Sequence, residues 1–485
     1  MNFPMPDFSL ALPEMFLLAA ACFVLVVDLF VTDPQRRVTY VLTLISIAGA
    51  AVLSYHGLND GRSVTFTGTF VADRLADTLK LFTYLTVGVV LVYAREYLQD
   101  RLLVRGEYYI LTLFALLGIM VMISAHHFLT VYLGLELLSL SLYALVASDR
   151  DSPVAAEAAM KYFVLGAIAS GTLLYGISIL YGATGTLNLG ELTAVLAAMP
   201  DTGTNLPVLL GLVFVLVGLA FKLGAVPFHM WVPDVYHGAP TSVTLFIGTA
   251  SKLAAFALLA RVLFEGMGPL HDAWKDMVAV LAALSMLVGN FVAIAQTNLK
   301  RMLAYSTISH VGFILLGFLP GTAAGVQASL FYTLAYVIMA AAAFGMIILL
   351  GREGFEADEL ADFKGLAKRS PWYALVMLMV MVSMAGVPPF VGFWAKLAVI
   401  QATLAANFTG LAILAVLTSV VGAFYYLRVI KLMYFDAADE GTELPPIRAG
   451  IGMHVVLSAN GLAILVLGLF PAVLVQICAR ALGNG

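Results

Sequence analysis

The chain has 485 residues, of which 62% are hydrophobic and only 11% are charged, against about 25% charged in an ordinary soluble domain. So few charges could not cover a water-facing surface, and a formal net charge of −4 gives no basic field for nucleic acid. The two cysteines, Cys22 and Cys478, exclude a disulfide scaffold, a CxxC metal site and an iron–sulfur centre held by this chain alone.

Apolar runs of membrane-spanning length recur along the whole chain. A spanning helix needs roughly 20 apolar residues, and no Lys or Arg precedes the first run, so a cleavable signal is not expected. The fourteen predicted segments are 12–31, 38–55, 76–98, 107–124, 127–147, 157–181, 206–237, 241–263, 277–297, 301–319, 325–350, 372–406, 410–435 and 451–478. Residues 187–207 and 353–370 are predicted surface connections. The sequence therefore predicts an all-α integral membrane protein with one polytopic domain over 1–485.

Segments seven and twelve are too long for one plain span, and each contains prolines. The chain reads FKLGAVPFHMWVPDVYHGAP around Lys222 and AGVPPFVGFWAK before Lys396. Because proline removes a helix hydrogen bond, both segments are predicted to be discontinuous helices. An offset of five segments makes them run in opposite directions, which is typical of inverted repeats in transporters. The predicted repeats are 107–263 and 277–435.

The distribution of Lys and Arg predicts the orientation in the membrane. An even number of spans puts both termini on one side, and the loops of the other side collect fifteen positive residues against five. The fifteen are Arg36, Arg37, Arg95, Arg101, Arg105, Arg150, Lys300, Arg301, Arg352, Lys364, Lys368, Arg369, Arg428, Lys431 and Arg448. The five are Arg62, Arg74, Arg261, Lys275 and Arg480. Both termini are therefore predicted to lie outside the cytoplasm.

Several ionisable residues fall near the middle of predicted spans. These are Glu136, Lys222, Lys252, His310 and Lys396. A charge at mid-span costs ~2.5–3.5 kcal/mol on insertion scales, so each residue needs a partner, a water cavity or a change of protonation. Together they predict a proton relay, in which movement of Glu136 would load or unload Lys222. The alternatives are a static ion pair for Glu136 with Lys222, snorkelling for Lys252 and Lys396, and a packing role for His310.

The other ionisable residues in the spans have plainer interpretations. Lys80 is predicted to snorkel to the outer interface. Lys161 follows Glu157 by four residues, so a helix-stabilising pair is as good an interpretation as a relay role. His229 and His237 flank a broken helix end and are predicted to be structural, since they lack the ligands of a metal site. No phosphate-binding loop motif is present, so no nucleotide site is predicted.

Four stretches of the sequence carry a family resemblance that covers essentially the whole chain. They are FKLGAVPFHMWVPDVYHGAPTSVT, ASKLAAF, NLKRMLAYSTISHVGF and GVPPFVGFWAKL, and together they resemble the antiporter-like membrane subunits of respiratory complex I. The resemblance implies that Glu136, Lys222, Lys252 and Lys396 line a central hydrophilic axis, with His310 in the same axis. Lys396 favours the N or L type over the M type, and the chain's end soon after segment fourteen favours N over L.

The resemblance also implies a function that the residues alone do not. It implies proton translocation coupled to electron transfer from NADH to quinone in other subunits of a bacterial inner-membrane enzyme. NADH, FMN, iron–sulfur clusters and quinone would belong to partner subunits, with no cofactor bound by this chain. The M and K membrane subunits and the lipid bilayer are the expected partners, and nucleic acid is not. The alternative is a cation/proton antiporter subunit with no link to NADH, and a purely structural membrane subunit is a third interpretation.

Overall fold

The computed structural model describes residues 5–58, 61–200, 203–352, 355–437, 447 and 449–483. These residues form a helical protein with one antiparallel hairpin, in which β1 (Ser63–Thr65) pairs with β2 (Phe70–Ala72). The prediction of an all-α membrane fold is therefore confirmed apart from this short hairpin. Arg448 and the first two residues of the predicted connection 353–370 lie outside the described residues.

Twenty α-helices make up the described part of the chain. The first ten are α1 (Leu12–Asp28), α2 (Arg37–His56), α3 (Arg74–Asp100), α4 (Gly106–Ile123), α5 (Phe128–Val146), α6 (Pro153–Thr184), α7 (Leu189–Ala198), α8 (Leu206–Leu223), α9 (Trp231–Gly238) and α10 (Thr241–Gly248). The rest are α11 (Ala250–Leu259), α12 (His271–Ile294), α13 (Leu299–Leu316), α14 (Ala323–Leu350), α15 (Leu366–Arg369), α16 (Pro371–Ala385), α17 (Val391–Ala405), α18 (Thr409–Tyr434), α19 (Ile451–Leu469) and α20 (Pro471–Ala481). Single 3₁₀ turns precede α1, α3, α12 and α15 in the chain.

Several of the long helices begin at residues whose side chains satisfy free backbone N–H groups. Asp73 accepts from the N–H of Ala76 at the start of α3 over 2.8 Å. Ser152 caps α6, whose first residue is Pro153, and Asn205 caps α8. A polar N-cap and proline at the first helical position both favour helix initiation.

Twelve helical stretches in the described residues are long and apolar enough to cross a membrane. Each matches one of the fourteen predicted segments. One of the two other predicted segments corresponds to α13, whose first turn contains Lys300 and Arg301 and which carries His310. The other corresponds to the broken pair α16 and α17, of 15 residues each. The number of fourteen spans therefore stays a prediction. Helix α13 is less apolar because of its charged residues, and α16 and α17 are short because the segment is broken.

Both predicted discontinuous helices are broken. Helix α8 ends at Leu223 and helix α9 begins at Trp231, while α16 ends at Ala385 and α17 begins at Val391. In each case the first half-helix is followed by glycine in the left-handed region, Gly224 with φ 81° and Gly386 with φ 89°. Only glycine adopts this conformation freely, so these glycines end the half-helices where the prolines prevent continuation.

The predicted segment 241–263 is not one continuous helix, which the sequence did not predict. Helix α10 ends at Gly248, and Thr249, with φ −123° and ψ −82°, separates it from α11. The Thr249 hydroxyl bonds to the Leu245 carbonyl over 2.5 Å, a local bond that competes with the helix. After α11 the chain continues as a π-helix over Ala260–Gly266, a form that is frequent at functional sites.

The two predicted surface connections contain short helices. In 187–207, helix α7 buries Leu189, Leu192 and Leu196 on one face, with the spacing of an amphipathic helix. In the described part of 353–370, Glu359 and Asp362 form a capping box around a 3₁₀ turn, and α15 follows. Both connections therefore lie folded against the helical bundle.

Glycines bring several pairs of helices into backbone contact, and three of these pairs are long helices of the bundle. A side chain on Gly134 would place its Cβ 2.8 Å from a backbone nitrogen of α4, so α4 and α5 touch directly. The same holds for α6 with α8 at Gly176, at 2.7 Å, and for α12 with α13 at Gly289, at 2.5 Å. Small residues permit this approach in membrane helices, and each pair packs as one unit.

Candidate proton-relay site

Lys222 and Glu136 lie on facing helices and are linked through serines. Lys222, in the last turn of α8, is buried, and its Nζ donates to Ser139 Oγ on α5 over 2.9 Å. Glu136, also on α5, accepts a hydrogen bond from Ser170 on α6. Among the described residues Glu136 and Lys222 form no direct ion pair. Instead, each of the two charged groups is hydrogen-bonded to a serine hydroxyl.

A small cavity lies beside Lys222 and the two serines. Its volume is about 20 Å³, and Ser139, Ser170 and Lys222 contribute polar atoms to its wall beside the rings of Tyr143 and Trp231. A volume of roughly 10–15 Å³ holds one water molecule, which needs two to four polar partners. The site therefore has room for one water that would join the Ser170 side to Lys222.

Lys252 caps the end of the first half-helix. Its side chain, on α11, is 1% exposed, and its Nζ donates to the carbonyl of Leu223 over 2.9 Å. Leu223 is the last residue of α8, so its carbonyl has no partner within that helix. The ammonium group also lies 5.7 Å from the centre of the Trp231 ring, a favourable cation–π distance.

Lys396 has the same relation to the second half-helix. It is buried on α17, and its Nζ donates over 3.0 Å to the carbonyl of Ala385, the last residue of α16. Its ammonium lies 5.1 Å from the centre of the Phe313 ring. A helix C-terminus carries partial negative charge, so each break creates a site that stabilises a buried cation. Lys252 and Lys396 do not snorkel to an interface.

His310 lies between two tyrosine hydroxyls. On α13 it is 3% exposed, its Nδ1 is 2.7 Å from Tyr332 Oη, and its Nε2 is 3.1 Å from Tyr426 Oη. A neutral imidazole has one donor and one acceptor nitrogen, so the ring can receive a proton on one side and release it on the other. The Tyr336 ring is 5.0 Å away, and its hydroxyl bonds to Thr307 over 2.8 Å.

Aromatic packing connects His310 to Lys396. The Phe313 ring beneath the Lys396 ammonium stacks on Tyr332 with centres 5.7 Å apart and planes 4° apart. The sequence reasoning missed these tyrosines, although Tyr332 and Tyr336 are four residues apart and so share a face of α14.

Lys300 is a further buried lysine that was counted as a loop charge. It is 2% exposed, and its Nζ donates to the carbonyl of Ala239 over 2.9 Å. Ala239 is the C-cap residue of α9, so Lys300 repeats the capping relation of Lys252 and Lys396. Its place in the first turn of α13, beside Arg301, hid it from the sequence analysis.

Lys80 does not snorkel, which corrects the sequence prediction. Its Nζ lies 2.5 Å from Glu14 Oε1 on α1, and the two side chains are 2% and 8% exposed. Lys161 forms the expected pair with Glu157, at 2.8 Å, and a second pair with Asp234 on α9, at 2.7 Å. The inward ion pair of Lys80 was invisible because its partner lies 66 residues away in the sequence.

Two more histidines, His229 and His237, lie near the first broken helix. His237 lines a surface cavity near the end of α9, and His229 lies in the break of segment seven. The described residues contain no group of three His, Cys, Asp or Glu side chains that could hold a metal ion.

A network of ion pairs connects the start of α3 with the π-helix. Arg261, in the π-helix, binds both carboxylate oxygens of Asp73 over 2.7 Å and Glu265 over 2.5 Å. Burial alone would raise the pKa of Asp73, but the adjacent guanidinium holds that pKa at about 2. Arginine keeps its proton under these conditions. Arg261, 1% exposed, is therefore a buried structural cation and was wrongly counted as a loop charge.

The broken helices, the buried lysines and the apolar bundle define a class of membrane transport proteins. A family model described as NADH:quinone oxidoreductase/Mrp antiporter, TM, matches residues 125–422, more than half of the chain. The chain belongs to this family, and within it to the NADH-quinone oxidoreductase subunit N proteins. One of them, from Thioalkalivibrio sulfidiphilus, is 59% identical over 482 residues, with 99% of this chain and 100% of the relative covered.

Solved structures share the fold. A chain of respiratory complex I from Thermus thermophilus is 33% identical, with a TM-score of 0.81 over 96% of this chain and 98% of that one. A chain of the Mrp complex from Dietzia has a TM-score of 0.84 over 99% and 97% of the two chains. Its identity is 24%, so this second likeness concerns the fold alone. The predicted resemblance to the antiporter-like subunits is confirmed.

Proposed function

We propose that this chain is a proton-translocating membrane subunit of an NADH:quinone oxidoreductase. Its full-length similarity to subunit N proteins of that enzyme is the observation that carries this function. The chain contributes membrane transport, while electron transfer from NADH to quinone takes place in other subunits. Its own buried lysines at broken helices supply groups that can bind and release protons.

The relay that we propose begins at Glu136 and Lys222. The water-sized cavity between Ser170 and Lys222 supports proton transfer through one bridging water rather than a permanent ion pair. A proton bound by Lys222 repels the ammonium of Lys252, so loading one lysine favours proton release from the other. His310 and Lys396 form the second part, in which tyrosine hydroxyls carry the proton.

The inverted repeats remain part of this proposal. The repeats 107–263 and 277–435 each contain one of the two predicted discontinuous helices, at the same place in the order of predicted segments. Both breaks follow a glycine with positive φ, and a buried lysine donates to the last carbonyl of each first half-helix. This correspondence supports two related units within one polytopic domain.

The partners follow from the proposed function. We place the chain beside the M and K membrane subunits in a bacterial inner membrane, with NADH, FMN, iron–sulfur clusters and quinone in other subunits. Purification of the tagged full-length chain under mild detergent tests this assignment. We expect flavin and iron to be recovered with it in fixed ratio. Recovery of cation-antiporter subunits without flavin or iron would favour the alternative function.

The orientation has its own test. Both termini are proposed to be periplasmic, from the excess of Lys and Arg in the opposite loops. In a Cys22→Ser background, a cysteine in place of the exposed Lys368 should react with an impermeant thiol reagent only in inside-out membranes. Gly61→Cys, which is exposed near the hairpin, should react only in right-side-out membranes. The reversed pattern would overturn the orientation.

A further inference from the structure

A polar cavity of about 370 Å³ opens beside Glu356 and Asp358, on the side that we propose to be cytoplasmic. Four carboxylates contribute to its wall, from Asp100, Asp149, Glu356 and Asp358. Lys300 lines the same cavity. Arg101 lines it too, so the four carboxylates exceed two basic side chains. A concave site with an excess of carboxylates concentrates cations, including protons, at its mouth.

Lys300 and Glu356 connect this cavity to the protein interior. The Lys300 Nζ is 3.7 Å from Glu356 Oε1 and donates to the carbonyl of Ala239. Glu356, with 23% of its side chain exposed, faces the cavity and the lysine together. A lysine buried to this degree needs a specific reason to be retained, because an apolar residue would cost less.

Glu356 is held in place by several donors. It forms an ion pair with Arg101 at 2.5 Å, accepts from Tyr97 Oη over 2.8 Å, and accepts from the hydroxyl of Thr241. Thr241 begins α10, directly after the short break at Ala239 and Pro240. The carboxylate is therefore fixed where it can exchange a proton with cavity water and with Lys300.

Helix α13 leads from Lys300 to His310. Lys300, Thr307 and His310 are spaced by seven and three residues, so they share one face of the helix. The distance along the axis is about 15 Å, at 1.5 Å per residue. Thr307 bonds to Tyr336, whose ring contacts His310, and Tyr236 lies beside Thr307 and Tyr336. Buried hydroxyl groups thus lie at the His310 end of this face.

We infer that Lys300 and Glu356 form a proton-uptake site at the floor of this cavity and feed the relay at His310. Glu356 takes a proton from cavity water and passes it to a neutral Lys300, which leaves the carboxylate ionised again. Lys300 then releases one proton toward the hydroxyls of Thr307 and Tyr336 and returns to its neutral form. This inference rests on the proposed function of the chain, because it extends the same relay to its entrance.

Lys300→Met tests the inference in the complete complex in inverted membrane vesicles. NADH-driven proton uptake should fall roughly tenfold or more, since a positioned proton-transfer group contributes ~10² or more to its step. Lys368→Met, an exposed lysine on the same side, is the matched control and should pump normally. Wild-type uptake by Lys300→Met would overturn the inference.

Two further variants keep the outcomes distinct. Lys396→Met is assayed alongside, and normal pumping by that variant together with Lys300→Met would count against the proposed relay as a whole. Impairment of Lys396→Met alone would overturn only the uptake site. If Lys300→Met is missing from the membrane, Glu356→Gln decides, because it keeps the shape of the side chain at a partly exposed position. Slowed uptake in Glu356→Gln supports the site, and unchanged uptake overturns it.

Discussion

The two broken helices bind buried lysines in the same way but surround them differently. At the first break, Lys222 and Lys252 lie near each other, and Glu136 is reached through Ser170 and a water-sized cavity. At the second break, Lys396 contacts a carbonyl and a phenylalanine ring. Its ionisable neighbour is His310 rather than a carboxylate.

This difference indicates different roles for the two halves. A carboxylate that approaches one of two neighbouring buried lysines stabilises its charged form, so the first half is suited to loading that depends on the position of Glu136. In the second half, the Lys396 ammonium is stabilised by a helix-end carbonyl and an aromatic ring. His310 and its tyrosine neighbours supply exchangeable protons. This half is suited to conduction and release.

The largest expected effect is at Lys396, which is the lone buried lysine of the second break among the described residues. Lys396→Met keeps most of the side-chain volume, so it should not create a cavity, but it removes the charge and the proton. NADH-driven proton pumping coupled to quinone reduction should fall by roughly 100-fold, the usual size for loss of a proton-transfer group. Proton uptake by membrane vesicles measures this.

The control for that variant is Lys431→Met, whose side chain is 67% exposed and which should pump normally. Oxidation of NADH by an artificial acceptor reports assembly, because this activity belongs to the peripheral subunits. Pumping at the wild-type rate in assembled Lys396→Met complex would show that the second break is not on an obligatory path.

The pair at the first break should show a smaller, coupled effect. Glu136→Gln and Lys222→Ala should each impair pumping roughly tenfold, and the double variant should be less impaired than the sum, with a coupling energy of about 1–2 kcal/mol. Rates of proton uptake in the four variants of this cycle measure the coupling. Strictly additive losses would show that the two residues act independently.

Lys222→Arg separates a switching pair from a static one. Arginine retains its proton at any ordinary pH, so it can balance Glu136 but cannot pass a proton on. We expect this variant to assemble and to pump as poorly as Lys222→Ala. Full activity would favour a structural ion pair at the first break and remove the proposed difference between the halves.

The hydroxyls around His310 should give effects of a few-fold. Tyr332→Phe or Tyr426→Phe removes one hydrogen bond to the ring, worth about 1 kcal/mol, which corresponds to a roughly fivefold slower step. Tyr84→Phe is the matched control, since its buried hydroxyl bonds to Ser54 rather than to the histidine. Equal rates for all three variants would argue against conduction through these tyrosines.

The smallest effect on transport is expected at the buried pair of Lys80 and Glu14, which lies outside both breaks. Removing one partner leaves a buried charge and should destabilise the protein by roughly 3–5 kcal/mol. The double variant Lys80→Met with Glu14→Leu should restore thermal stability and pump normally. A pumping defect in a stable double variant would mean that buried lysines away from the breaks also carry protons.

The sequence predicted what depends on local patterns. Long apolar runs determined the spans, and the glycines and prolines near Lys222 and Lys396 determined where two of them break. Helix α7 was missed because its apolar face is only three residues long, and the interruption at Thr249 depends on one hydroxyl in an apolar run. Neither feature has a strong sequence signature.

The predicted site residues could be found because a charge is rare within a span, but their partners could not. The carbonyls of Leu223 and Ala385 become acceptors only when the helices break. The pairing of Lys80 with Glu14, and the burial of Lys300 at the edge of a span, result from how distant helices pack. Sequence alone places a residue along a helix but not around the bundle.

The glycine contacts divide the first half of the molecule into two stiff bodies, α4 with α5 and α6 with α8. Both serine hydrogen bonds cross the seam between them, because Ser139 of one body accepts from Lys222 of the other, and Ser170 donates to Glu136 in the opposite direction. A rigid-body displacement of one helix pair along the other would break both hydrogen bonds together. Lys222 and Glu136 would therefore lose their serine partners at the same moment.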